Sequence, residues 1–288
     1  MKKLIENTPN PWCQEEYKKI IDELILNKDI QKLKLQENYF DICNNYWIID
    51  RYIARSGQIS QDSTPNTLSA YEQCIKNKYT ILLPIQILDD DTLICFSHKN
   101  ISKVISSASG YVNNMSLEQI KDINLNDKKE KILTLDEALD FINNKTSIII
   151  EINNDGMIGK LEDKVLQSLQ KYIAKHKAVN NIAIMGINPY TLQYFFEQCP
   201  YITRILKSGG FSEKMYGSIP TKKLRNLSYY KITNADFIAY SLELLPCIKV
   251  ENKKPVGVLA YTVTNQSQYI QIAPHCDNII FSYFKPTI

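Results

Sequence analysis

Residues Ile49–Thr67 read IDRYIARSGQISQDSTPNT: an apolar run stops at Arg55-Ser56-Gly57 and is followed, ten residues on, by Pro65-Asn66-Thr67. A barrel strand delivers its C-terminal end to a ligand site in this way before the chain turns into a helix. Downstream of this stretch, short apolar runs alternate with helical patterns to the end of the chain. Strands are expected to start near residues 49, 80, 147, 181, 202, 236, 256 and 278, with YWIIDRYIA as the first. Runs such as SIIIEIN lack a polar face, which suits parallel strands buried on both sides. Eight such units in about 240 residues predict a (β/α)8 TIM barrel over 47–288. Thr64-Pro65, Ser116 with Glu118, Thr134 with Glu137 and Asn188-Pro189 supply helix starts in register with it.

Ahead of the barrel, residues 1–46 read as a helical N-terminal extension. Tyr17, Ile20, Ile21 and Leu24 recur at helical spacing within Gln14–Lys34, opposite Glu15, Lys18, Lys19 and Glu23. This helix is expected to pack across one end of the barrel; the alternative is a face that docks a partner. The chain's 34 basic and 31 acidic residues are interspersed, a balance that gives no footprint for nucleic acid. No run approaches 18 apolar residues, and the first residues reach Glu6, Asn7 and Pro9 before any apolar stretch, so a cytoplasmic protein without a transmembrane segment or signal peptide is expected. The seven cysteines, at 13, 43, 74, 95, 199, 247 and 276, show no C-x-x-C spacing and predict neither disulfides nor zinc.

The order of motifs resembles the glycerophosphodiester phosphodiesterase family. The strings that carry the resemblance are Ile53-Ala54-Arg55-Ser56-Gly57, Thr64-Pro65-Asn66-Thr67-Leu68, Leu83-Pro84-Ile85, Ser97-His98-Lys99, Ile150-Glu151-Ile152-Asn153 and Tyr261-Thr262-Val263-Thr264. GYVNNMSLEQIKDI with LTLDEALDFI, and the closing DNIIFSYF, add to it. The resemblance implies a TIM barrel and phosphodiester hydrolysis. It also implies a Ca²⁺ or Mg²⁺ ion on carboxylates, two histidines that move protons, and an arginine on the phosphate.

Carried over position by position, the resemblance implies a sparse site. Arg55 stands where the first histidine is expected and cannot act as a base at neutral pH. Ser56 stands in place of the phosphate-binding arginine, Pro65 in place of one metal carboxylate, and Leu83 and Ile85 in place of a carboxylate pair. Lys99 replaces an aspartate and Asn153 a lysine. His98 keeps the second acid/base position, and Glu151 is the only metal-ligand position retained, which is insufficient for a divalent cation on its own. No cofactor is therefore expected unless the family's Ca²⁺ or Mg²⁺ site survives. Asp62 lies close enough in sequence to swing toward the strand ends, whereas Asp89-Asp90-Asp91 reads as a solvated turn.

The exchanges leave a cationic mouth, with Lys207 and Ser208-Gly209-Gly210 ending a nearby strand, and this suits a phosphate or carboxylate ligand. Arg55, Ser56, Lys99, Lys207 and Tyr261 are the candidate ligand-binding residues. A compatible expectation is that Arg55 pairs with Glu151. His176 reads as solvated and His275 as structural. The function expected is a phosphodiesterase-like protein without standard metal-dependent hydrolysis that binds a small phosphate-bearing or other anionic ligand. One alternative is an active phosphodiesterase rebuilt on His98, Arg55 and Glu151; another is a non-catalytic partner-binding scaffold.

Overall fold

The computed structural model describes residues 46–59, 63–105, 108–125, 130–176, 181–253 and 255–287. The helical pattern of Gln14–Lys34, the cysteines at 13 and 43, and Asp62 lie outside them. Eight parallel strands close into a barrel: β1 (Ile53–Arg55), β2 (Thr80–Ile87), β4 (Ile148–Ile152), β5 (Ile182–Gly186), β6 (Thr203–Ser208), β9 (Phe237–Ser241), β10 (Gly257–Val263) and β11 (Asn278–Phe281); β3 (Leu93–Cys95) pairs on the edge of β2, and β7 (Met215–Tyr216) with β8 (Ile219–Pro220) forms a separate hairpin. β1 pairs with both β2 and β11, which joins the two ends of the sheet. The expected TIM barrel is therefore the fold, and seven of its strands begin within one residue of their predicted starts.

The first strand differs from expectation. Tyr46–Asp50 is a short helix, and β1 begins only at Ile53. The apolar run of this stretch does not cross the barrel wall. Instead the helix places Trp47 and Ile48 against the barrel's internal core, and Asn278 Nδ2 donates to the Ile48 carbonyl at 2.6 Å and the Arg51 carbonyl at 2.7 Å. This closes off the internal core at the N-terminal end of the barrel.

Strand parity sorts the side chains into two layers. Ile53, Leu82, Ile149, Ile205 and Leu259 pack inside the barrel, whereas Ala54, Ile81, Leu83, Ile85, Ile148 and Ile150 pack outward under the helices. Two residues beyond the internal set, on the same strand faces, come Arg55, Pro84, Glu151, Lys207 and Tyr261. The mouth is thus built from one ring of inward positions. Leu83 and Ile85, matched in sequence to a carboxylate pair, face the helix layer. Register instead sets Pro84 beside Glu151, and Gln86 follows it on the same strand face, so no carboxylate of β2 takes the inward positions near this end.

Between β2 and the helix Leu135–Ile142 lies an insertion with its own small core of Leu88, Ile94, Phe96, Ile101, Val112 and Ile120. Within it, β3 (Leu93–Cys95) runs antiparallel to β2 and carries Ser97 and His98 back to the mouth. The Asp89–Asp91 turn sits at the far end of this hairpin, where Asp91 pairs with Lys160 and, at 4.0 Å, with Lys164.

The loop that follows β4 is anchored by Glu162, fully buried at the start of the helix Lys160–His176. It accepts from Asn154 Nδ2 at 2.8 Å, the Gly159 amide at 2.9 Å and the Thr191 hydroxyl at 2.7 Å. Replacing it takes the acceptor from the Gly159 amide and the Thr191 hydroxyl and leaves Asn154 Nδ2 only the Met157 carbonyl at 3.0 Å. Glu162→Ala is expected to lower the unfolding free energy by about 3 kcal/mol, measured by urea denaturation; a loss under about 1 kcal/mol would contradict this anchoring role.

Candidate functional site

At the end of β1 the chain turns sharply. Ser56 (φ 63°) and Gly57 (φ 84°) occupy the left-handed region in succession, and a Cβ on Gly57 would lie 2.7 Å from Ala70 Cβ. Only glycine fits there. The turn is tied down by the Ser56 amide to the Leu82 carbonyl at 2.9 Å and by the Asn66 amide to the Ser56 carbonyl at 2.8 Å. It brings Ser56, Asn66 and Ser97 together: the two hydroxyls are 3.1 Å apart, and Asn66 Nδ2 donates to Ser97 Oγ at 3.2 Å.

Deeper in the mouth, Glu151 is fully buried. Lys207 Nζ donates to its Oε1, and Arg55 Nε stands 3.8 Å from its Oε2. Arg55 Nε and Glu151 Oε2 have no hydrogen-bond partner. Burial pushes the Glu151 carboxyl upward, but Lys207 and then Arg55 outweigh it and hold the group below its ordinary range. Lys207 lies 4.9 Å from the centre of the Tyr261 ring, and the Tyr261 hydroxyl donates to the Ser208 carbonyl at 2.8 Å. Burial, followed by the Glu151 charge, raises the Tyr261 phenol above its ordinary range.

The predicted ligand residues therefore separate. A cavity of about 180 Å³ is lined on its polar side by Arg55, Ser56, Asn66, Ser97, His98 and Lys103, and among the described residues no carboxylate lines it. Lys207 and Tyr261 lie behind it, committed to Glu151 and Ser208. Lys99 is drawn away into a half-exposed ion pair with Asp155. Exposed His98 is held below its ordinary value by partial burial, then by Arg55 and Lys103. The pairing expected between Arg55 and Glu151 is present, with Lys207 as the closer partner.

Asn66, Ser97 and Lys103 had no assigned role in the sequence. Asn66 and Ser97 lie inside the quoted motifs, but only the fold shows that they meet; Lys103, five residues beyond His98, carried no signal of its own. Asn66 is 4% exposed, and its Oδ1 has no partner although it lines the cavity. His176 ends its helix half-buried, its ring 4.6 Å from that of Tyr172, and His275 is exposed, not part of the packing.

A sequence model described as the glycerophosphoryl diester phosphodiesterase family matches residues 59–282. A search of curated proteins gives no match. Solved structures share the fold at low identity. A phosphodiesterase from Oleispira antarctica, in complex with its product sn-glycerol-3-phosphate, aligns with TM-score 0.65 and 17% identity over 83% of this chain and 94% of its own. A glycerophosphodiester phosphodiesterase from Parabacteroides distasonis aligns with TM-score 0.63 and 15% identity, over 80% and 92%. One from Thermotoga maritima gives 0.60 and 18%, over 80% and 94%.

Because the folded state depresses the Glu151 carboxyl, its stabilising contribution is complete above the ordinary glutamate value of about 4.3 and is lost as pH falls below it. Melting temperature recorded against pH is expected to drop on that acid side. Glu151→Gln is expected to melt lower at neutral pH and to lose part of the acid-side drop; an unchanged profile would show that the buried ion pair is not linked to folding.

Proposed function

The chain belongs to the glycerophosphoryl diester phosphodiesterase family, and we propose that its barrel mouth binds a small phosphate-bearing anion with the chain's own cations, without standard metal-dependent hydrolysis. The observation that carries this reading is the partner of Glu151. Ca²⁺ and Mg²⁺ need about six oxygen ligands, several of them from carboxylates or water. Here Glu151, the carboxylate of the inward ring among the described residues, already accepts from the Lys207 ammonium. Among the described residues, no three His, Cys, Asp or Glu side chains are placed to share an ion. The donors among the described residues do not fit a divalent cation.

They do fit an anion. Arg55 offers a planar fork of donors on the cavity wall, Lys103 adds a second charge, and Ser56 and Ser97 supply hydroxyls. Lys207 compensates Glu151 from behind, so a ligand can take the Arg55 guanidinium without leaving a bare buried carboxylate. Glycerol 3-phosphate is expected to raise the melting temperature in the presence of a chelator, and Arg55→Gln to weaken its binding at least tenfold by calorimetry. Stabilisation by Ca²⁺ or Mg²⁺ alone, or cation-dependent hydrolysis of a glycerophosphodiester abolished by Glu151→Ala, would overturn the reading.

The lowered His98 value gives a pH dependence. Protonated His98 adds charge to the cavity only on the acid side of its depressed value, and a bound phosphate raises that value. Affinity for a glycerophosphodiester, whose single charge does not titrate here, is expected to rise as pH falls below about 6.5. His98→Ala should bind it with no such rise.

A second reading rests on the same observation. Neutral at pH 7, His98 is in the state a general base requires, and Arg55 would stabilise the developing phosphate charge. This reading requires diester hydrolysis in chelator that His98→Ala abolishes; the absence of turnover removes it.

A further inference from the structure

The cavity beside Arg55 has two chemistries. Its polar wall was described above; its other wall and rim are Ile59, Leu125, Val104 and Tyr283. Val104 is 41% exposed and Tyr283 is 69% exposed, both on the rim of a charged cavity and not in a core. The neighbouring aromatics behave differently: Phe281 is buried, and Phe284 packs on it with ring centres 5.8 Å apart. Tyr283, between them, adopts φ 66°, a left-handed conformation that is a genuine outlier for a bulky side chain. The chain thus accepts backbone strain at the residue that holds an aromatic ring in solvent at the cavity's edge. Such strain concentrates where a ligand is clamped.

Size completes the argument. About 180 Å³ is less than the roughly 300 Å³ or more of pockets that enclose drug-sized ligands. The enclosed part admits a phosphate head, and whatever is esterified to it must leave across the rim. We propose that the ligand of this cavity is a phosphate ester of an apolar alcohol, its phosphate held by Arg55, Ser56 and Lys103 and its chain laid over Val104 and Tyr283. This rests on the anion-site reading above and adds the class of the esterifying group.

The test is calorimetric titration of the full chain, in chelator, with methyl, butyl and hexyl phosphate as free monomers. Affinity is expected to rise along the series, with hexyl phosphate at least tenfold tighter than methyl phosphate, since each chain carbon leaves water against the rim. A Val104→Ser, Tyr283→Asn double variant removes the apolar rim, and asparagine tolerates the left-handed backbone at 283. It should bind methyl phosphate as the wild type does and lose the chain-length dependence. Arg55→Gln should lose all three ligands. Equal binding of methyl and hexyl phosphate, or a gain that survives the double variant, would overturn the apolar-ester inference while the anion site stands. Binding of none of the three would overturn both, and an unchanged melting temperature of each variant without ligand shows that folding is not the cause.

Discussion

A carboxylate with no exposure to water has to be compensated, and the mouth of this barrel is organised by that requirement at Glu151. Removing an ion from water costs several kcal/mol even after relaxation. The two cations that meet the cost come from opposite sides: Lys207 from β6, in hydrogen-bond contact, and Arg55 from β1, at 3.8 Å. Because the nearer one suffices to bond Oε1, the farther one keeps its guanidinium turned to a cavity. An unequal sharing of one negative charge therefore divides the inward ring into a structural half and a half that faces solvent.

The barrel itself was legible in the sequence because strands buried on both faces leave long apolar runs, and the spacing between those runs survives however far the side chains drift. Seven strand starts follow from that spacing. The first does not, since YWIID is apolar for a different reason: its tryptophan and isoleucine plug the barrel's end as a helical turn. Periodicity cannot separate a short buried helix from a short buried strand. The same limit acts on β2, where matching letters placed Leu83 and Ile85 at the mouth although parity turns them into the helix layer.

Arg55, Glu151 and Lys207 were each legible near the mouth because each lies at or near the end of a strand, and the pairing of Arg55 with Glu151 was expected. What the chain's order could not convey was commitment. Lys99 is claimed by Asp155, and Tyr261 by a backbone carbonyl, whereas Asn66 and Lys103 are left on the cavity wall. Which polar groups are already satisfied depends on contacts across tens of residues in sequence. Only the folded register settles which donors remain for a ligand.

The insertion between β2 and the helix Leu135–Ile142 has a core of its own, and it carries His98, Lys103, Val104 and Leu125. Arg55 and Glu151 sit on the barrel strands, where a change in shape is felt by every neighbouring strand. Substitutions in the insertion are screened mainly by a few local contacts. The buried charges of the inward ring and the outer wall of the cavity thus belong to separate packing units. A substitution in the insertion would reshape that wall of the cavity while leaving the pairing of the barrel strands in place.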